Sequence, residues 1–399
     1  MEKADNNSIS AKSALGFVVL LGFVSLFADA TYEGARSITG PFLAVLGANA
    51  VVVGLVAGFG ELIGYALRLA AGYLADKTQW YWLLTIIGYG VNLIAVPLMA
   101  LAGRWEIAAL LMVTERIGKA IRAPARDAIL SHATHRLGRG WGFGLHEFMD
   151  QIGAVIGPLI VAAAIYYKND YRLGFGILFI PGLVAMVFLL TARFIYLRPR
   201  DFEPVSVPLK GKHFPHAFWL YLVAVGFIAA GYADFALIGF HVKKTGIAAD
   251  ETIPLLYAFA MGVDGVAALI FGRLFDRFGM SILMVSAIIS ACFAPLVFLG
   301  GLSMVVVGMA LWGIGMGAQE SIMRAAVAEM VSADKRGSAY GIFNANYGLF
   351  WFAGSALMGI LYDLHIVAVV AFSVIAQLLS IVMFILASRS LLDSKRQSV

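Results

Sequence analysis

Ionisable side chains recur in stretches of this sequence that are otherwise almost wholly apolar, and they recur at helical spacing. Asp29, Glu33 and Arg36 stand at i, i+4 and i+7, which puts them on one face of one helix. Glu115, Lys119, Arg122 and Arg126 follow at i, i+4, i+7 and i+11, with Arg116 and Asp127 beside them, and His146, Glu147 and Asp150 share a third face. A charge at the centre of a membrane helix costs roughly 2.5–3.5 kcal/mol, so such groups turn toward a cavity or a partner. A carboxyl held there can take up and release a proton, a cation can hold an anion, and neighbouring opposite charges can simply neutralise one another. Asp29, Glu33, Arg116 and Glu147 are the candidates for handling a proton. For Arg122, Arg126, Asp127 and Asp150, nearer the helix ends, mutual neutralisation is the favoured reading.

The composition requires a membrane. Of 399 residues, 61% are hydrophobic and 13% charged, about half the roughly 25% charge of soluble domains. Each crossing needs about 20 apolar residues, and hydropathy windows give twelve: 16–38, 51–74, 82–102, 107–128, 142–165, 176–194, 218–240, 253–271, 280–300, 304–326, 339–361 and 367–386. The polar segment 1–13 precedes an apolar run too long for a cleaved signal, so the first crossing is expected to remain as an anchor. Cys292 is the single cysteine, which excludes an intrachain disulfide and a cysteine metal cluster. The net charge of +5 comes without a basic stripe or recognition motif, and nucleic acid is not expected as a partner.

Charge also orients the chain. Of the 29 Lys and Arg, 17 fall on the side of both termini, five on the other, and seven within the crossings. By the positive-inside rule both termini are expected in the cytoplasm, with the protein in the inner membrane. Residues 197–215, with Pro199, Pro204, Pro208 and Pro215, read as a cytoplasmic linker between domains at 1–196 and 216–399.

The two domains echo one another. Gly72-Tyr73-Leu74-Ala75-Asp76-Lys77 is matched 200 residues later by Gly272-Arg273-Leu274-Phe275-Asp276-Arg277, and Arg139-Gly140 with Gly144 by Arg336-Gly337 with Gly341. The Gly-x-Leu-x-Asp-Lys/Arg pattern resembles the cytoplasmic loop signature of the major facilitator superfamily, over the whole chain. Gly153-Ala154-Val155-Ile156-Gly157-Pro158 is similar to the glycine-proline signature of its proton-coupled antiporters, although Val161 and Ala162 stand where those usually carry further glycines. Gly153 and Gly157 also suffice for close helix packing alone, with Pro158 bending the helix. The segment 116–122 loosely resembles the arginine signature of span four.

The resemblance implies an all-α membrane protein: twelve transmembrane helices in two six-helix bundles built of inverted 3+3 repeats. It implies a secondary active transporter that moves a small organic solute by alternating access, with proton-coupled efflux as the leading expectation. The cationic residues of span four favour an anionic or zwitterionic solute. Proton-driven uptake, divalent-metal export and a non-transporting sensor are the alternatives. Solute contacts are expected from Arg36, Glu115, Lys119, Arg122, His146, Asp150, Asp234, Glu320, Arg324, Asn344 and Tyr347. Gating is expected from Asp76, Lys77, Gly153, Gly157, Pro158, Asp276 and Arg277, where Asp76 or Asp276 would meet a basic group across the seam. Glu61 and Arg68, seven apart on span two, are placed to join the same network. No nucleophile motif, metal-ligand cluster or phosphate loop points to an enzyme or a cofactor, and a monomer is expected.

Overall fold

The computed structural model describes residues 11–134, 139–196, 214–331 and 336–397, and among these it contains no strand. Fifteen α-helices succeed one another: α1 (Ala11–Val45), α2 (Ala50–Thr78), α3 (Tyr81–Leu98), α4 (Trp105–Thr134), α5 (Arg139–Lys168), α6 (Tyr171–Ile177), α7 (Phe179–Ile195), α8 (His216–Gly231), α9 (Phe235–Thr245), α10 (Thr252–Phe278), α11 (Ser281–Ala291), α12 (Phe293–Leu299), α13 (Leu302–Met330), α14 (Arg336–Leu364) and α15 (Ile366–Gln397). Joined across three short breaks, they make twelve rods. Eleven of these are long and apolar enough to cross a membrane. The twelfth, α4, has 30 residues, about 45 Å of helix, and falls short on apolarity because it carries the charges of span four. The expected linker lies outside the described residues except for Phe214 and Pro215.

The breaks have local causes that hydropathy averaging hides. Between α6 and α7, Pro181 lacks the N–H that would bond the Ile177 carbonyl; between α11 and α12, Pro295 does the same to Ala291. Between α8 and α9 the helix stops at Tyr232, and Asp234, in extended conformation, accepts the Ala236 N–H at 2.9 Å as the cap of a new helix. A single rod over 218–240 was expected there. The observed one is two half-helices with a carboxylate at their junction.

The first six rods pack on one another, with α1 along α5 and α7 and with α3 and α2 on α4; in the last six, α10 lies along α13 and α8 along α15. Small residues bring backbones together. A Cβ at Gly153 would overlap the Leu26 carbonyl, and one at Gly157 the Ala30 carbonyl, so this face of α5 is pressed onto α1. The two sets of six meet along α2 with α14, α5 with α10, and α1 with α9.

That last contact makes the junction asymmetric. On the face opposite the chain ends, a Cβ at Gly40 would overlap the Ala236 carbonyl and one at Gly54 the Ser355 carbonyl. Asp363 accepts the Val51 N–H at 3.3 Å and lies 3.9 Å from Lys244 Nζ. α1 meets span seven along α9, the half away from the chain ends. On the side of the chain ends, by contrast, Glu147, Glu320 and Arg324 are exposed in mid-helix, and the charges that act on Glu320 include Glu147, Glu33 and Lys119 from the other half. The halves are therefore sealed on the face opposite the chain ends, while on the other side these three charged side chains are open to solvent.

Because Gly157 has backbone against its Cα hydrogens, Gly157→Leu is expected to lower stability by about 1–3 kcal/mol, the range for overpacking. Thermal unfolding in detergent reads the loss; wild-type stability would contradict the packing.

Candidate functional site

The predicted face of α1 is the spine of an ionic network. Arg36 Nη2 lies 3.4 Å from Glu61 Oε1 of α2 and 3.2 Å from Asp234 Oδ2 at the break in span seven. Glu61 is shared with Arg116 of α4 at 3.3 Å, and Arg116 Nε is also 3.3 Å from Glu115 Oε2. Glu115 in turn accepts the Asn92 amide of α3 at 2.7 Å. One turn back on α1, Glu33 meets Lys119 Nζ at 3.6 Å and accepts the Tyr257 hydroxyl of α10 at 2.6 Å. Arg36 and Glu33 each hold a partner in the other half of the molecule, 198 and 224 residues away.

These groups surround a cavity of about 30 Å³ lined by Tyr32, Arg36, Glu115, Arg116, Asp234 and Met112 among others. A water needs about 10–15 Å³ by this measure, so it holds about two waters and no organic solute. Arg36, Arg116 and Asp234, all ion-paired, stand on its wall. A carboxylate or other anion could replace Asp234 or Glu61 on the guanidinium forks of Arg36 and Arg116, which suit such groups.

Nearer the chain ends the network changes character. Asp29, 6% exposed, accepts a hydrogen bond from Tyr32 and makes no ion pair among the described residues. Lys119 Nζ sits 4.0 Å above the Tyr32 ring. Arg122 is 1% exposed, its guanidinium 4.2 Å from the Tyr89 ring centre and 5.3 Å from that of Tyr32, with Nε and Nη2 lacking a hydrogen-bond partner. Charge neutralisation, one reading of the Arg122, Arg126, Asp127 and Asp150 set, therefore does not describe Arg122, which aromatic faces hold instead. It does describe the others: Arg126 reaches Asp127 at 2.9 Å and Asp150 at 3.8 Å. Ser25 ties this group to α5, 3.0 Å from His146 Nε2, which is itself 3.7 Å from Asp150.

The second half brings fewer groups. Glu320 and Arg324 face the opening with Glu147. Tyr347 donates to Gln319 at 2.9 Å, and the Asn344 Oδ1 is buried without a partner; neither reaches the cluster of α1 and α4. Lys77, Asp276 and Arg277 are exposed at helix ends, with Lys77 over Tyr73 and Arg277 over Phe278, and Asp276 makes no ion pair among the described residues. The Asp76 side chain lies outside the described residues. Gly153, Gly157 and Pro158 are all buried, the two glycines against α1. Arg68 lies 5.0 Å from the Tyr65 ring and makes no direct ion pair with Glu61 among the described residues, although its charge bears on that carboxylate.

Sequence reasoning missed Tyr32, Tyr89, Asn92 and Tyr257, all uncharged. An asparagine or tyrosine inside an apolar span is a weak signal, since tyrosine is as often a packing residue.

The Major Facilitator Superfamily model matches residues 15–355 and 242–398 of this chain. An uncharacterized protein of Mycobacterium tuberculosis is 42% identical over 380 residues, 94% of this chain and 93% of its own. An uncharacterized MFS-type transporter of Methanocaldococcus jannaschii is 25% identical over 358 residues, 87% of this chain and 88% of its own. A bacterial homologue of the human lysosomal transporter Spinster, solved in an inward-facing, unoccupied conformation, matches with a TM-score of 0.76 at 15% identity, covering 95% of this chain and 98% of that one. This last likeness is one of fold.

The shared position of Glu61 carries a consequence. Glu61→Gln leaves Arg36 and Arg116 both short of a buried counter-charge, and a loss of about 3–5 kcal/mol is expected. Glu61→Gln combined with Arg116→Met should lose less than the sum of the two single changes; simple additivity in thermal unfolding would contradict the pairing.

Proposed function

This chain belongs to the major facilitator superfamily, and from that premise we propose that it exports a small anionic or zwitterionic organic solute across the cytoplasmic membrane by alternating access, in exchange for protons. The observation that carries the reading is Arg36, a buried guanidinium on the cavity wall, held by Glu61 of its own half and Asp234 of the other. A two-state transporter needs an interaction that differs between states. The Arg36–Asp234 pair is made only while the outer ends of the halves are closed, and a solute anion on Arg36 would compete with it.

Orientation follows from the Lys and Arg bias, which supports cytoplasmic termini and hence a cavity parted toward the cytoplasm. Asp29 is the proton carrier in this reading. It is buried, its only described hydrogen-bond donor is a neutral hydroxyl, and a carboxyl so placed is most easily accommodated neutral. Ionised, it would draw Lys119 away from Glu33 or engage the unpaired nitrogens of Arg122. Either movement alters the wall that holds the solute, and the Glu33 to Tyr257 link carries the change to the other half. Export, as opposed to uptake, is supported by the Gly153 to Pro158 segment and its resemblance to antiporter sequences.

The test uses inverted membrane vesicles made acidic inside, a pH-reporting dye and a library of organic acids and zwitterions. An exported solute should drain the gradient in wild-type vesicles. Asp29→Asn should reduce that drain at least tenfold while a thermal-shift assay still registers solute binding. Undiminished proton movement in Asp29→Asn would remove the coupling assignment, and solute accumulation by intact cells would reverse the direction.

A further inference from the structure

Asp264 on α10 is 1% exposed, and no ion pair of it is made among the described residues. The charged groups that bear on it are themselves carboxyls: Glu320 from α13, Glu147 from α5 and Glu33 from α1, with the Tyr232 hydroxyl from the break in span seven also near. On the α13 side stands Gly317, where an added Cβ would come within 2.7 Å of Asp264 Oδ1, so the backbone of α13 is pressed against the carboxyl there. What faces Asp264 from the first half is Gln151 on α5, whose carboxamide bears on the carboxyl. The next residue on α10, Gly265, lies against the same side chain, an added Cβ standing 3.6 Å from Gln151 Cγ.

Two acceptors are orphaned here. Asp264 Oδ1 and Gln151 Oε1 are both buried and both lack a hydrogen-bond partner. An ionised carboxylate opposite a carboxamide can receive the amide N–H on one oxygen, but it leaves the other oxygen and the amide oxygen with nothing to accept. A single proton on Asp264 resolves both deficits, because a carboxylic acid and a carboxamide pair reciprocally: the acid O–H donates to Oε1 while the amide N–H donates to the acid's carbonyl oxygen. Unmade bonds of this kind are costly in a dry interior.

The position adds a role. α5 and α10 form one of the contacts between the halves, along which the halves must slide if the passage is to open on its other face. We propose that Asp264 is a second proton-binding site, a neutral carboxylic acid paired to Gln151 across this seam, and that the proton stays while the seam is in the present register and leaves when the halves shift. The proton's presence stands on the geometry alone; its part in transport rests on the proton-coupled reading above and makes the exchange one proton richer per cycle than Asp29 would make it.

Infrared difference spectroscopy on the purified full chain in lipid nanodiscs at neutral pH tests the site without a solute. Wild type minus Asp264→Asn should show the C=O stretch of one protonated carboxylic acid. Gln151→Leu, which keeps Asp264, should move that band toward the frequency of an acid without a partner, and this arm holds even if Asp264→Asn does not fold. Because the unfolded chain gives up this proton in the ordinary carboxyl range, wild type should also lose thermal stability relative to Asp264→Asn as pH rises. No protonated band lost in Asp264→Asn, or no shift in Gln151→Leu, overturns the site. If the band is there and the ratio of protons to solute, measured from reversal of flux, is the same in Asp264→Asn as in wild type, the transport role is overturned and the site remains. If no proton moves with solute in wild type, the failure belongs to the proposed function and not to this site.

Discussion

An arginine buried among apolar helices cannot stand alone, and Arg36 does not: its partners come from both halves of the molecule, Glu61 at 3.4 Å and Asp234 at 3.2 Å. Breaking a buried pair by removing one partner strands a charge where water cannot reach it. Each state of the protein must therefore supply Arg36 with an anion. In the state described here the anions are carboxylates of the chain, and the outer halves of spans one and seven are drawn together to deliver the second. A solute that brought its own anion, as proposed above, would relax that demand. The chain Asn92, Glu115, Arg116, Glu61, Arg36, Asp234 runs through four helices of the first half into the second, so a change at one member is felt by the next.

The break in span seven is part of the same device. Asp234 caps α9 through the Ala236 N–H and pairs with Arg36 through its other oxygen. An N-cap carboxylate sits at the positive end of its helix, and the cap bond fixes Asp234 on the wall of the cavity. The half-helix it caps carries Ala236 and Gly239 into the close contact with Gly40 and Pro41 of α1. Cap, ion pair and seal are thus consecutive features of about one turn and a half of chain.

Much of this was legible in the sequence, and what was not failed for physical reasons. The repeated Gly-x-Leu-x-Asp-Lys/Arg segments and the spacing of Asp29, Glu33 and Arg36 pointed to the fold and to the face of α1 that bears the network, because periodicity is local and charge in an apolar span is rare. Hydropathy averages over windows longer than a break, so Tyr232 to Asp234 was absorbed into one span, although an aspartate ahead of an apolar helix is a capping signal. Tyr257 and Glu33 are 224 residues apart, and nothing local joins them. Arg122 shares a helix with Arg126 and Asp127 and reads as one neutralising set with them, but its actual neighbours, the rings of Tyr32 and Tyr89, come from α1 and α3. Helical spacing shows which groups share a face and leaves open what packs against it.

If the Arg36–Asp234 pair holds the outer ends of the halves together, removing its charge must let them part. Spin labels at Val45→Cys and Thr245→Cys, the outer ends of α1 and α9, in a Cys292→Ser background report that separation by pulsed electron resonance. The account predicts a short, narrow distance distribution with Asp234 intact and a shift to longer distances in Asp234→Asn. The same distribution in both would contradict it.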